Sequence, residues 1–154
     1  MKKWLEKQAV FTFTLRILAF LARRKYFDRL TEKATSQSAQ LNILLNKPKP
    51  AGDVADLAQT WLDLMPPDGQ DHFTIEEITE DTAYTQIHLH CPLRGSGDAH
   101  ACHKLMNYDR KLMEQVGGQL IVLESQSNSG KPYCRLAIRK AGTAVDDLIP
   151  AHQK

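Results

Sequence analysis

This chain of 154 residues has too few cysteines for a disulfide framework, and no uncharged run approaches the length of a membrane span. Three Cys is an odd and sparse number, which excludes a disulfide-stapled fold and points to reduced thiols in the cytoplasm. Seven Pro and eight Gly are too few for collagen or Pro/Gly-rich disorder, and 42% hydrophobic with 25% charged residues is a globular composition. A spanning helix needs ~18 apolar residues, but Glu6 and Lys7 interrupt the approach and Arg16 splits Ala9–Leu21. The run from Ile17 to Ala22 leads into Arg23-Arg24-Lys25 rather than a small-residue cleavage site, so neither export nor spanning is expected. A net charge of +2, with no basic clusters beside aromatics in the second half, argues against nucleic acid as a partner. No C-x-x-C pair and no Ser-His-Asp motif occurs, and Gly95-Ser96-Gly97 is too short for a phosphate loop.

The charge that is present is uneven. Residues 1–30 carry eight basic groups (Lys2, Lys3, Lys7, Arg16, Arg23, Arg24, Lys25, Arg29) against Glu6 and Asp28, so this segment is +6 and the remainder −4. Trp4, Phe11, Leu15, Leu18 and Leu21/Ala22 recur at three, four and seven residues, the spacing of an amphipathic helix. The stripe is expected to be buried in the protein or in a homodimer formed through the helices. Peripheral membrane contact through residues 1–25 is then at most weak.

Periodicity predicts helices first and a sheet afterwards. Helical spacing covers about 3–25 and 28–45, the second with Leu30, Ala34, Leu41, Leu44 and Leu45, and it stops at Lys47-Pro48-Lys49-Pro50. Asp53 reads as the N-cap of a helix ended by Pro66-Pro67-Asp68-Gly69. The period then changes to two in Phe73–Ile75 and Tyr84–Leu93, with Glu80-Asp81-Thr82 as the turn. Asp98 should cap a helix over 99–116, stopped at Gly117-Gly118, before two further strands, Gln119–Ser125 and Tyr133–Arg139. The expected fold is α+β: one domain over 1–140, with an N-terminal helical layer (1–70) on a ββ-α-ββ antiparallel sheet unit (71–140), and a polar tail over 141–154.

Cys91, Cys102 and Cys134 are placed by different periods, two for strands and 3.6 for the helix, yet each falls on its core-facing side. They are expected to converge at one end of the sheet–helix interface. Asp109 lies on the same helical stripe as Cys102, and a buried carboxylate is costly unless paired or given work. A thiol in the first turn of a helix has its pKa lowered, which makes Cys102 the candidate nucleophile. His100 or His103 is the candidate base, although both fall off the cysteine face. Seven N/S donors (His88, His90, Cys91, His100, Cys102, His103, Cys134) suffice in number for tetrahedral zinc, with His100, Cys102 and Cys134 the weak candidate set. No metal or other cofactor is expected to be required.

Cys91-Pro92-Leu93, the Cys102 helix with Tyr108-Asp109, the Gly117-Gly118 stop and Gly130-Lys131-Pro132-Tyr133-Cys134-Arg135-Leu136 resemble the L-2-amino-thiazoline-4-carboxylic acid hydrolase family over about 84–140. More distantly the layout is similar to 4-vinyl-reductase ligand-binding domains, although their further Cys after a Glu is absent here, where Ser127 follows Glu124. The first resemblance implies thiol-centred opening of a cyclic amidine. Cys102, Asp109 and His103 would be catalytic, and Cys91, Cys134 and Tyr108 would contact the substrate. The second implies a non-catalytic module that binds a small molecule or serves as a scaffold.

Overall fold

The computed structural model describes residues 2–66 and 70–154, excluding the side chains of residues 2–9, 11 and 70. Trp4 and Phe11 of the expected stripe, and Pro67-Asp68-Gly69 of the expected stop, therefore lie outside the description. Three helices open the fold: α1 (Lys2–Ala22), α2 (Asp28–Asn46) and α3 (Val54–Leu64). Strands β1 (Phe73–Ile78) and β2 (Ala83–Ile87) follow, then α4 (Ala99–Leu105), α5 (Asn107–Gln115), β3 (Gly118–Glu124) and β4 (Cys134–Lys140). The four strands form one antiparallel sheet in the order β1-β2-β4-β3. Helices α3 and α5 lie on the sheet, α2 packs on α5, and α1 reaches α2 and α4. This is the α+β arrangement of a helical layer on a ββ-α-ββ sheet unit.

Local chemistry sets the boundaries. Asp53 and Asp98 cap α3 and α4, accepting from Asp56 N at 2.8 Å and Ala101 N at 2.9 Å. Met65, which precedes Pro66, is extended at φ −75° and ψ 157°, so α3 stops there. The helix expected over 99–116 breaks at Met106 into α4 and α5. Cys102, Met106, Asp109, Leu112, Met113 and Val116 are nonetheless all buried, so the break leaves the inward stripe intact.

Three expectations need correction. The strand read over Tyr84–Leu93 ends at Ile87, because β1 and β4 both begin opposite that residue and offer no partner beyond it. Burial still alternates, with His88 and His90 exposed and Leu89 and Cys91 half-buried. On α2, Leu30, Leu41, Leu44 and Leu45 are exposed, whereas Thr31, Thr35 and Ala39 are buried. The small face admits close packing because Thr31 and Thr35 donate their hydroxyls to Phe27 O and Thr31 O at 3.0 and 2.9 Å. Asn107 on α5 then bonds Thr35 Oγ1 at 3.0 Å. Finally, residues 141–154 are docked rather than a free tail. The Arg139 guanidinium holds both oxygens of Asp147 at 2.7 Å, Ala151 is buried, and Lys154 Nζ donates to Leu123 O at 2.8 Å, which covers the edge strand β3.

On α1, Ala19 and Ala22 are buried and Leu15, Leu18 and Leu21 half-buried, on the side the sequence assigned to packing. A second apolar row, Val10, Phe13, Ile17 and Phe20, faces solvent. No helix among the described residues is long and apolar enough to cross a membrane.

Candidate functional site

A cleft of about 550 Å³ runs between α1, α2, the end of α3, the sheet and the α4–α5 pair. Leu15 and Leu18 of α1, Leu41 and Leu45 of α2, and Phe73 and Ile87 of the sheet give it apolar walls. Cys91, Cys102 and Cys134 all line it, so the three sulfurs converge as their periodicities imply. Tyr108 and Asp109 line it as well. No Lys, Arg or His stands among the described lining residues, and the only carboxylates there are Asp63 and Asp109. The result is a largely apolar chamber whose polar lining includes the three thiols, the Tyr108 phenol, the amides of Asn42, Asn46 and Gln126, and the carboxyls of Asp63 and Asp109, the mixture of a small-molecule site.

The thiols are free and differ in acidity. The Cys102 pKa is lowered, chiefly by the neighbouring Cys134 thiol. Burial opposes the shift, while the nearby Ser125 hydroxyl and the positive charge of Arg110 add to it. Cys134 is raised far above the ordinary thiol range, chiefly by neighbouring Cys102 and further by burial. Within this closely placed pair, Cys102 is shifted down and Cys134 up. Cys102 stands in the first turn of the seven-residue α4, as expected, and its neighbouring side chains favour the thiolate. Burial raises the Cys91 thiol, partly offset by the Leu93 N–H that donates to its sulfur at 3.4 Å.

Asp109 sits beneath Trp61, whose Nε1 donates to its Oδ1 at 3.0 Å. Burial pushes its pKa up to about 6, against the lowering effect of the Trp61 bond and of Arg110. The Tyr108 hydroxyl accepts from Asn42 Nδ2 at 2.6 Å, which fixes its position on the wall, and burial raises its pKa.

His103 does not belong to this group. Its ring centroid lies 3.9 Å from that of His152 in the C-terminal segment, and Arg110 Nη1 approaches its Nδ1 at 3.4 Å. Burial, and then the Arg110 charge, lowers its pKa to about 4. It cannot serve as base for Cys102, because side chains on consecutive helical residues point about 100° apart. His100 is exposed, with its centroid 6.1 Å from that of His152. The candidate set His100, Cys102 and Cys134 is therefore not assembled, and among the described residues no three His, Cys, Asp or Glu side chains are placed to hold a metal.

Sequence reasoning missed Gln126. It is fully buried, and its side chain replaces the strand partner that 88–94 lacks. Gln126 Oε1 accepts from Cys91 N at 3.2 Å and Arg94 Nε at 2.7 Å, and its Nε2 donates to Leu89 O at 2.8 Å. Its backbone N–H donates to the Cys134 sulfur at 3.4 Å, so one residue positions two of the three thiols. A polar residue between Ser125 and Ser127 reads as loop surface in a sequence, but all three are buried in the structure.

No protein-family model, curated protein or solved structure matches this chain.

Proposed function

We propose that this protein is a small-molecule-binding module whose ligand is compact, largely apolar and uncharged. The observation that carries this reading is the cleft itself, about 550 Å³ with apolar walls and no cation among its described lining residues. A polar ligand end would meet Asp109, protonated below about pH 6, and the Tyr108 hydroxyl. Three free thiols around the chamber support a reducing, cytoplasmic setting.

Thiol-centred hydrolysis of a cyclic amidine is the second reading, favoured by the lowered pKa of Cys102. Asp109 or Asp63 could hold an amidinium, but among the described lining residues a substrate carboxylate would find no cation, and His103 is turned away as base. Binding is thus the better-supported activity.

Titration with the neutral apolar fluorophore N-phenyl-1-naphthylamine tests it. One saturable site per chain is expected, with at least ~10-fold weaker binding in Leu18→Trp and Leu105→Trp, which fill the chamber from two sides. Unsaturable binding, or full affinity in both folded variants, contradicts the proposal. Turnover of 2-amino-thiazoline-4-carboxylate by the wild type but not by Cys102→Ala would instead establish the hydrolase.

A further inference from the structure

The row on α1 that faces solvent is apolar: Val10, Phe13, Ile17 and Phe20 are 65%, 65%, 44% and 55% exposed. Their spacings of three, four and three put them on one face, opposite the side that packs through Ala19 and Ala22. A contiguous apolar face of this kind marks an interaction surface.

Charge identifies the occupant. No Asp or Glu occurs between Lys7 and Phe27, while Arg16, Arg23, Arg24 and Lys25 are exposed along or just beyond the row. Two acids approach from elsewhere: Asp28 is engaged by Lys104 Nζ at 2.5 Å, and Asp98 lies 3.9 Å from Arg23. Arg24 stacks over the Phe20 ring at 3.5 Å from its centroid, which sets a cation directly against the end of the apolar row. A second copy on this face would set Arg16, Arg23, Arg24 and Lys25 against the same cations, whereas an anionic surface satisfies both components.

We infer that this face of α1 docks the protein on an anionic lipid surface, with Phe13, Ile17 and Phe20 at the headgroup–acyl boundary and Arg16, Arg23, Arg24 and Lys25 at the phosphates. The contact is peripheral, because α1 is not apolar enough to span. It is independent of the cleft, which α1 lines from its other side through Leu15 and Leu18.

Co-sedimentation of the full chain with phosphatidylcholine vesicles, with and without about one-quarter phosphatidylserine, is the test. Binding to the anionic vesicles should exceed that to the neutral ones by ~10-fold and fall with salt. The double variant Phe13→Ser/Ile17→Ser should lose it with an unchanged circular dichroism spectrum, since both residues are exposed. Arg16→Glu/Lys25→Glu, which keeps the apolar row, should also lose it. Absence of wild-type binding, or equal binding to neutral vesicles, overturns the inference. So does a wild-type dimer in sedimentation velocity that Phe13→Ser/Ile17→Ser converts to monomer, which would assign the row to a second copy.

Discussion

Trp61 Nε1 donates to Asp109 Oδ1 at 3.0 Å, which joins the helix nearest the sheet to the acid at the base of the cleft. The bond keeps one carboxylate oxygen satisfied, but the charge is buried, and the pKa of about 6 lies above the usual carboxylate value of 3.8. Between those two pH values the folded state holds more protons than the unfolded state. Asp109 therefore contributes stability below about pH 4 that is lost as pH rises through about 6. Asp109→Asn keeps an acceptor for Trp61 without the charge. It should raise stability at pH 7.5 by on the order of 2–3 kcal/mol, measured by urea denaturation.

His103 acts with the opposite sign. Its folded pKa of about 4 lies below the ordinary 6.5, so its contribution is present above pH 6.5 and is lost as pH falls towards 4. Its half-exposed position reduces the size of the effect. The wild type should consequently show a shallow dependence between pH 4 and 6.5. Asp109→Asn should reveal a stability that rises with pH over that window, and His103→Gln one that falls. Urea midpoints across the same window would read both slopes.

The three thiols should separate kinetically. Alkylation of Cys102 by iodoacetamide should reach half its maximal rate at lower pH than alkylation of Cys91, and Cys134 should stay unmodified while the fold persists. Ser125→Ala removes a hydroxyl that lowers the Cys102 pKa and should shift that half-maximal pH upward, as peptide mapping by mass spectrometry would report.

Gln126 should prove the most costly single polar residue near the cleft. Gln126→Leu leaves Cys91 N and Leu89 O without their partners, for a loss of roughly 2–4 kcal/mol in denaturant unfolding. Weaker binding of an apolar probe should accompany it, because the loop that carries Cys91 loses its anchor.

The sheet, the caps at Asp53 and Asp98, and the sidedness of the three thiols were legible because each depends on local periodicity or on one side chain meeting nearby backbone. The end of β2 was not, since pairing depends on where distant strands begin. The sequence pattern on α2 favoured its leucines, but packing against α5 selected the smaller Thr face instead. At the cleft, Cys91, Cys102, Asp109 and Cys134 were identifiable from periodicity, and Tyr108 only through the resemblance. His103 was named catalytic by the resemblance although periodicity already set it off the cysteine face, and His152, far along the chain, is what it packs against.

Shielding of Cys91 by the occupant of the cleft is the most direct measurement of the central claim. Cys91 is the half-exposed thiol on the wall, so its modification by N-ethylmaleimide reports whether the chamber is filled. Added N-phenyl-1-naphthylamine should slow that reaction with the same half-saturation as its fluorescence titration. An unchanged Cys91 rate at saturating probe would place the probe elsewhere and contradict the cleft as the binding site.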